Sequence, residues 1–312
     1  MSPELRAAVD LELSAGAGGS RKAGARSLSD TYRAGGHSGG IDLAAYVTVR
    51  LPATYAAVDR VLTEMVALRP DLAPVSLVDA GSGPGTAAWA AVNHWPGLSR
   101  VTFVDNDRTF LDLALRLAGN GNQALARAEG RVASLERLPE GLAGDLVISA
   151  YALAELPEAR AAAAARHLWS RADAAVVLVE PGTPAGFARI RAARHALLAE
   201  GAVPVGPCPH AGACPMTGGD WCHFSVRLAR SREHMHAKAA AVPFEDEKFC
   251  WIALARSGAP SGGARVLAPV RHGKAGIDMT LCTTDGMALR HVARRDAAAY
   301  RAVRKSDWGD LI

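Results

Sequence analysis

The chain has 312 residues, 49% of them hydrophobic, and a formal net charge of +4, which is length and apolar content enough for a full α/β core with additions. No apolar run approaches the ~20 residues that a membrane span requires. The opening MSPELRAAVDLEL carries Glu4, Asp10 and Glu12 where a signal peptide has an apolar block and a transit peptide is poor in acids, so the expected location is cytoplasmic, with no membrane partner.

Residues 13–40 are rich in Gly, Ser, Ala and Arg and read as a mobile or loosely packed lead-in, with Leu28 to Gly36 as a short ordered piece. From Ile41 to Leu68 apolar residues recur at three- and four-residue steps, which predicts helices that pack on a sheet, Pro52 marking a start or kink. Tyr46 and Tyr55 fall on that pattern and read as core residues. The stretch Val75 to Trp89, VSLVDAGSGPGTAAW, then joins a buried parallel strand, the acid Asp79, three alternating glycines and the start of a helix near Thr86. Such a helix aims its free N–H groups at whatever lies over the loop.

The spacing is G-x-G-x-G behind an acid, which departs from the G-x-G-x-x-G of dinucleotide sites. It resembles the first motif of S-adenosylmethionine-dependent methyltransferases. There the loop passes under the methionine end of the cofactor, and an acid after the second strand takes the ribose hydroxyls. The apolar run Val101 to Val104 ends on Asp105, 26 residues beyond Asp79, where a βαβ unit places that acid. Asp79, Gly81, Ser82, Gly83, Gly85 and Asp105 are therefore the candidate cofactor residues.

Further on, Arg108 to Leu117 reads as a helix and residues 124–138 hold a short, weak third strand. Asp145 to Ser149 is the fourth strand, Ala161 to Ser170 a helix, Ala174 to Glu180 the fifth strand and Ala185 to Glu200 another helix. Strands alternating with helices at this spacing predict a doubly wound parallel sheet. At Gly206 the character changes to GPCPHAGACPMTGGDWCHF, which has neither helical nor strand period. Lys248 to Leu254 returns to strand character. Arg265 to Val270, Ile277 to Thr283 and Met287 to Val292 follow as short strands, with Asp285-Gly286 as a hairpin turn, before a helical AAAYRAVRK and the tail SDWGDLI. Three parts result: a helical and loosely packed residues 1–70, a nucleotide-type domain over 71–205, and a cysteine-rich, β-rich extension over 206–312.

Cysteines occur at 208, 214, 222, 250 and 282. In a chain expected in the cytoplasm such clustering points to metal or catalysis before disulfides. Cys208 and Cys214 are each followed by proline, as in sequences flanking iron–sulfur clusters, and thiolates on irregular backbone suit a cluster or a tetrahedral zinc, which His210 and His223 could complete. For a fourth ligand, Cys250 sits inside the apolar strand KFCWIAL, whereas Cys282 lies near a strand end in LCTTDG and can project toward an adjoining loop. Charge is also uneven. Residues 208–312 hold 15 Lys/Arg against 10 Asp/Glu and six of the ten histidines, a candidate face for an acidic partner such as RNA.

Taken together, DAGSGPGT, LVEPGTPAGF, CPHAGACP…WCHF, KFCWIALAR, LCTTDG and the terminal WGDL resemble the ribosomal small-subunit methyltransferase-like family over roughly residues 27–312. Mitochondrial members of that family are assembly factors for the small ribosomal subunit. The resemblance implies a Rossmann-type class I methyltransferase fold, S-adenosylmethionine at the glycine loop, and a four-iron, four-sulfur cluster on Cys208, Cys214, Cys222 and Cys282. It also implies association with small-subunit ribosomal RNA or its precursor. Whether methyl transfer occurs is open at this level. After the fourth strand stands SAYALAELP, without the consecutive prolines of exocyclic-amine enzymes or the Pro-Cys pair of base-carbon enzymes, and Glu155 is the nearby acid. An active RNA methyltransferase with a structural zinc or iron–sulfur site is the alternative. A radical methyltransferase would call for a C-x3-C-x2-C triplet, which is absent.

Overall fold

The structure, a computed structural model, describes residues 1–15, 42–216 and 219–312. The piece expected at Leu28 to Gly36 lies outside them. Helix α1 (Pro3–Ala15) begins the fold and buries Leu5, Ala8 and Val9, one face at three- and four-residue spacing. The short turn Leu43–Ala45, capped by the Asp42 carboxylate, runs through a π-helical turn, Tyr46–Arg50, into α2 (Leu51–Leu68), where Pro52 occupies the first turn. Strand β1 (Ser76–Ala80) leads through the glycine loop into α3 (Thr86–His94), and β2 (Arg100–Asp105) into α4 (Arg108–Ala118). A short helix α5 (Gln123–Ala126) precedes β3 (Glu129–Val132). Then come β4 (Gly144–Ala150), α6 (Ala161–Trp169), β5 (Ala172–Pro181) and α7 (Pro184–Leu198), the last opened by Thr183, whose hydroxyl accepts from Gly186 N at 3.1 Å.

Strands β3-β2-β1-β4-β5 are parallel, and the order turns back on itself between β1 and β4. This is the doubly wound, Rossmann-type arrangement that the alternation predicts, and it places ligands at the carboxyl ends of the strands near that reversal. Both faces are covered, so alternate residues of each strand enter opposite cores. Leu77, Phe103, Leu146 and Val177 pack with α1 to α4, while Val78, Val104, Val147 and Val176 pack with α6 and α7.

Beyond β5 the sheet becomes antiparallel. Strand β6 (Val203–Gly206), strand β7 (Phe224–Ala229), helix α8 (Arg232–Lys238) and the long β8 (Phe244–Ala255) follow in sequence. Strand β8 pairs with β5 along one edge. Its other edge is divided: β6 pairs with the end at Ala253 to Ala255, and β7 with the start at Phe244 to Phe249. Residues 207–216 therefore leave the sheet from a break in its edge and residues 219–223 return to the same edge, and three of the cysteines lie in these two pieces.

A second sheet packs beside this break. It comprises β9 (Arg265–Val266), β10 (Arg271–His272), β11 (Gly276–Thr283) and β12 (Gly286–Ala293), the last two joined by the expected Asp285-Gly286 turn, and is followed by α9 (Ala297–Val303). The strand expected over Arg265 to Val270 is only two residues long. Beyond Val266, Leu267 N still donates to Thr280 O of β11. Arg265, 2% exposed, ties this sheet down. Its guanidinium meets Glu64 of α2 and donates to Pro207 O at 2.7 Å and Gly309 O at 2.6 Å. Among the described residues no helix is long and apolar enough to cross a membrane.

Candidate cofactor pocket and cysteine site

The glycine loop folds over the carboxyl end of the parallel sheet, and one pocket opens there. Gly81, Gly83, Asp105, Ser134, Tyr151 and Glu155 are among the residues that line it. Gly81 (φ +68°) and Gly85 (φ +81°) take the left-handed conformation, and neither position has room for a side chain. A Cβ on Gly81 would stand 2.3 Å from the Ala152 Cβ, and one on Gly85 would stand 2.8 Å from the Phe103 ring. Asp105, at the end of β2, accepts from Gly83 N at 2.7 Å and Asp107 N at 2.9 Å. Burial raises its pKa, against these two N–H donors, so the acid is fixed at the pocket wall with lone pairs to spare.

Not every expected cofactor residue faces this pocket. Asp79 lies beneath the loop, 1% exposed, and accepts from Ala88 N at 3.0 Å in the first turns of α3. Burial pushes its pKa up to about 8. Ser82 and Gly85 are also outside the lining, Ser82 because its N–H turns back to Val104 O and Gly85 because it begins the helix. These three residues shape the loop without lining the pocket. Conversely Tyr46, expected in the core, is buried edge-on against Phe110 at 4.9 Å and forms part of the pocket wall.

Tyr151 follows β4 with φ +62°, a strained value for a side chain of this size. Its hydroxyl donates to Glu247 of β8 at 2.8 Å, and Arg50 lies over its ring at 4.6 Å while pairing with Glu247 at 2.9 Å. Next to it, Leu153 N donates to Glu180 at 2.9 Å, and burial pushes Glu180 up to about 8. Glu155 lines the pocket and is pushed up to about 7 by burial, with the charges of Asp105 and Asp107 adding to the effect. The loop after β4 is thus pinned from two strands behind it.

The cysteine site forms where the divided edge meets the second sheet. Cys208, Cys214, Cys222 and Cys282 line one cavity with His210, Arg194 and Arg265. Cys282 arrives from β11, where it is the register partner of Arg265 across to β9. Cys250, 1% exposed in the middle of β8, does not line the cavity. His210 does, its Nε2 3.5 Å from the Cys282 sulfur, whereas His223 stacks on Trp221 and meets Trp308 edge-on outside it. Burial raises the pKa of Cys208 and Cys222 and pushes Cys282 up to about 11. A metal held here would displace thiol protons. Among the described residues no three His, Cys, Asp or Glu side chains are gathered tightly enough for a lone metal ion, and the four cysteines line a cavity.

A family model described as mitochondrial small ribosomal subunit Rsm22 matches residues 41–312. The chain belongs to the Rsm22 family. It is 32% identical over 286 residues to the human mitochondrial ribosome assembly protein METTL17, an alignment that covers 86% of this chain and 61% of that protein. It is 26% identical over 320 residues to the mitochondrial Rsm22-cox11 tandem protein 2 of Schizosaccharomyces pombe, covering 86% of this chain and 42% of that one. This Rsm22-family chain therefore spans less than two thirds of the length of either relative. Among solved structures, the magnesium protoporphyrin IX methyltransferase of Synechocystis PCC 6803 with bound S-adenosylhomocysteine is 18% identical, with a TM-score of 0.44, covering 74% of this chain and 94% of that one. The precorrin-6y C5,15-methyltransferase of Geobacter metallireducens GS-15 is 14% identical, with a TM-score of 0.41, covering 64% and 87%. The strand order makes the fold Rossmann-type.

Asp79 provides a test of the buried acid beneath the loop. Between its ordinary 3.8 and about 8 the folded chain keeps a proton there that the unfolded chain has released, so stability falls as pH rises through that window. Asp79→Asn keeps an acceptor for Ala88 N and removes this penalty. Urea denaturation is expected to find it more stable than the parent at pH 8 by at least about 1.4 kcal/mol, the equivalent of one pKa unit, and equal to it near pH 4. A parallel pH dependence in the two proteins would contradict the placement.

Proposed function

We propose that this chain is a small-subunit ribosome assembly protein of methyltransferase fold. In this reading it acts in the cytoplasm, binds S-adenosylmethionine in the glycine-loop pocket, holds an iron–sulfur cluster on Cys208, Cys214, Cys222 and Cys282, and contacts small-subunit ribosomal RNA through its basic last third. The observation that carries the proposal is the gathering of four cysteines, from the 207–223 loop and the second sheet, around one cavity in a member of the Rsm22 family. Soft sulfur donors without a competing carboxylate suit a thiolate-bound cluster. A bound cluster would add a cross-link between two parts of the chain that the Arg265 bond to Pro207 O already joins.

The pocket fits S-adenosylmethionine in its donor set. Asp105 stands where the ribose hydroxyls would donate, and Gly81 leaves the loop close against Ala152. One observation favours the active RNA methyltransferase as a second reading. Glu155 lines the same pocket with a pKa near neutrality, a suitable state for taking a proton from an acceptor amine. Incorporation of labelled methyl into total RNA separates the two readings, because an assembly protein that only binds the cofactor leaves no label.

Asp105→Ala is expected to weaken S-adenosylmethionine binding, read by calorimetry, by roughly 1.5–3 kcal/mol, the range for hydrogen bonds to a charged group. A loss under about 0.5 kcal/mol would move the ribose site elsewhere. For the RNA partner, purified protein is expected to co-sediment with small-subunit precursors at low salt and to dissociate steeply as salt rises, as phosphate contacts require. No co-sedimentation at low salt would remove the RNA part of the proposal.

A further inference from the structure

Helix α7 buries Phe187, Ile190, Arg194 and Leu197 along one stripe, so an arginine occupies a position where the helical period calls for an apolar residue. Arg194 is 5% exposed. Its Nε donates to the Cys208 sulfur at 3.2 Å, and one Nη donates to both His210 O and Gly212 O at 2.8 Å. Among the described residues it has no carboxylate partner. Of the other two arginines on the cavity, Arg191 is exposed and donates to Met216 O, and Arg265, buried like Arg194, is paired with Glu64. A buried guanidinium without an anion is costly, and a cavity that presents one to four sulfurs is built to receive negative charge.

We propose that Arg194 is the counterion and sulfur hydrogen-bond donor of the cysteine site. This rests on the reading of that site as an iron–sulfur cluster. A four-iron cluster on four thiolates is an anion, and Arg194 compensates it from within the core while its bonds to two loop carbonyls set the turn that separates Cys208 from Cys214. Hydrogen bonds and positive charge at a ligating sulfur stabilise the more negative, reduced state. Arg194 therefore raises the cluster's midpoint potential and slows its loss. It is a positioning residue, and the expected signature lies in potential and retention.

The test compares the full chain with Arg194→Lys and Arg194→Met, purified without oxygen, by iron and sulfide content, midpoint potential in a redox titration followed by electron paramagnetic resonance, and rate of iron release to a chelator. Arg194→Met is expected to release iron about tenfold faster, the effect of losing one hydrogen bond to a charged group, and to titrate at a more negative potential. Arg194→Lys keeps the charge but cannot span one sulfur and two carbonyls, so it is expected to retain the cluster at a potential between the other two. If Arg194→Met fails to fold, Arg194→Lys decides alone. A parental potential and release rate in the lysine variant would overturn the proposal and leave the cluster reading intact. Parental protein without iron and sulfide would overturn the cluster reading itself, and the proposal with it.

Discussion

Strand β8 pairs with β5 on one edge and with two separate strands on the other, and this division of a single edge organises the last third of the chain. A continuous edge strand would have closed the sheet. Instead the backbone leaves at Gly206 and rejoins at Phe224, so among the described residues Cys250, Trp251 and Ile252 have no ladder partner on that side and the loop satisfies its polar groups elsewhere. Side chains take up that role. Arg194 holds two carbonyls of the loop, Arg191 donates to Met216 O, the Trp221 indole donates to Gly182 O, and Arg265 holds Pro207 O. The second sheet and the WGDL tail close over the result, with Gly309 N donating to Val266 O.

The same strand reaches both sites. Glu247, near its start, fixes Tyr151 at the glycine-loop pocket, and Trp251 and Ile252, a few residues on, line the cysteine cavity. Glu180 of β5 stands opposite Cys250 and holds Leu153 N, so the loop after β4 and the floor of the cavity share one pair of hydrogen-bonded strands. Both acids are buried, Glu180 on the ladder between β5 and β8 and Glu247 on the ladder between β8 and β7. The pocket wall is accordingly held from behind at Tyr151 and Leu153, and Gly81 leaves room for the Ala152 side chain between them.

Much of this was legible in the sequence because its signals were local. An apolar run ending in an acid and alternating glycines specifies a strand and a tight turn whatever surrounds them, and it led to β1, the loop and β2. Signals set by tertiary contact were not legible. Strand β7 reads FSVRLA and helix α8 is short and charged, and each is ordered by partners on β8 and by the network of Glu245 with His234, Arg230 and Lys238. Asp79 stood in the expected position, yet its carboxylate turns down to α3, because a strand-end acid under a helix start meets free N–H groups before it meets a ligand. Arg194 carried a readable signal that went unused: a charge on the apolar stripe of a helix marks a buried partner.

The central claim is that Cys282, delivered by a separate sheet, completes a metal site with the three loop cysteines while Cys250 remains a core thiol. Iron, sulfide and zinc analysis of anaerobically purified Cys282→Ser and Cys250→Ser, beside the parent, tests it most directly. The account predicts iron and sulfide in the parent, retained in Cys250→Ser and reduced in Cys282→Ser, with the last third of Cys282→Ser opened to protease. Full iron in Cys282→Ser with loss in Cys250→Ser, or zinc in place of iron and sulfide throughout, would contradict it.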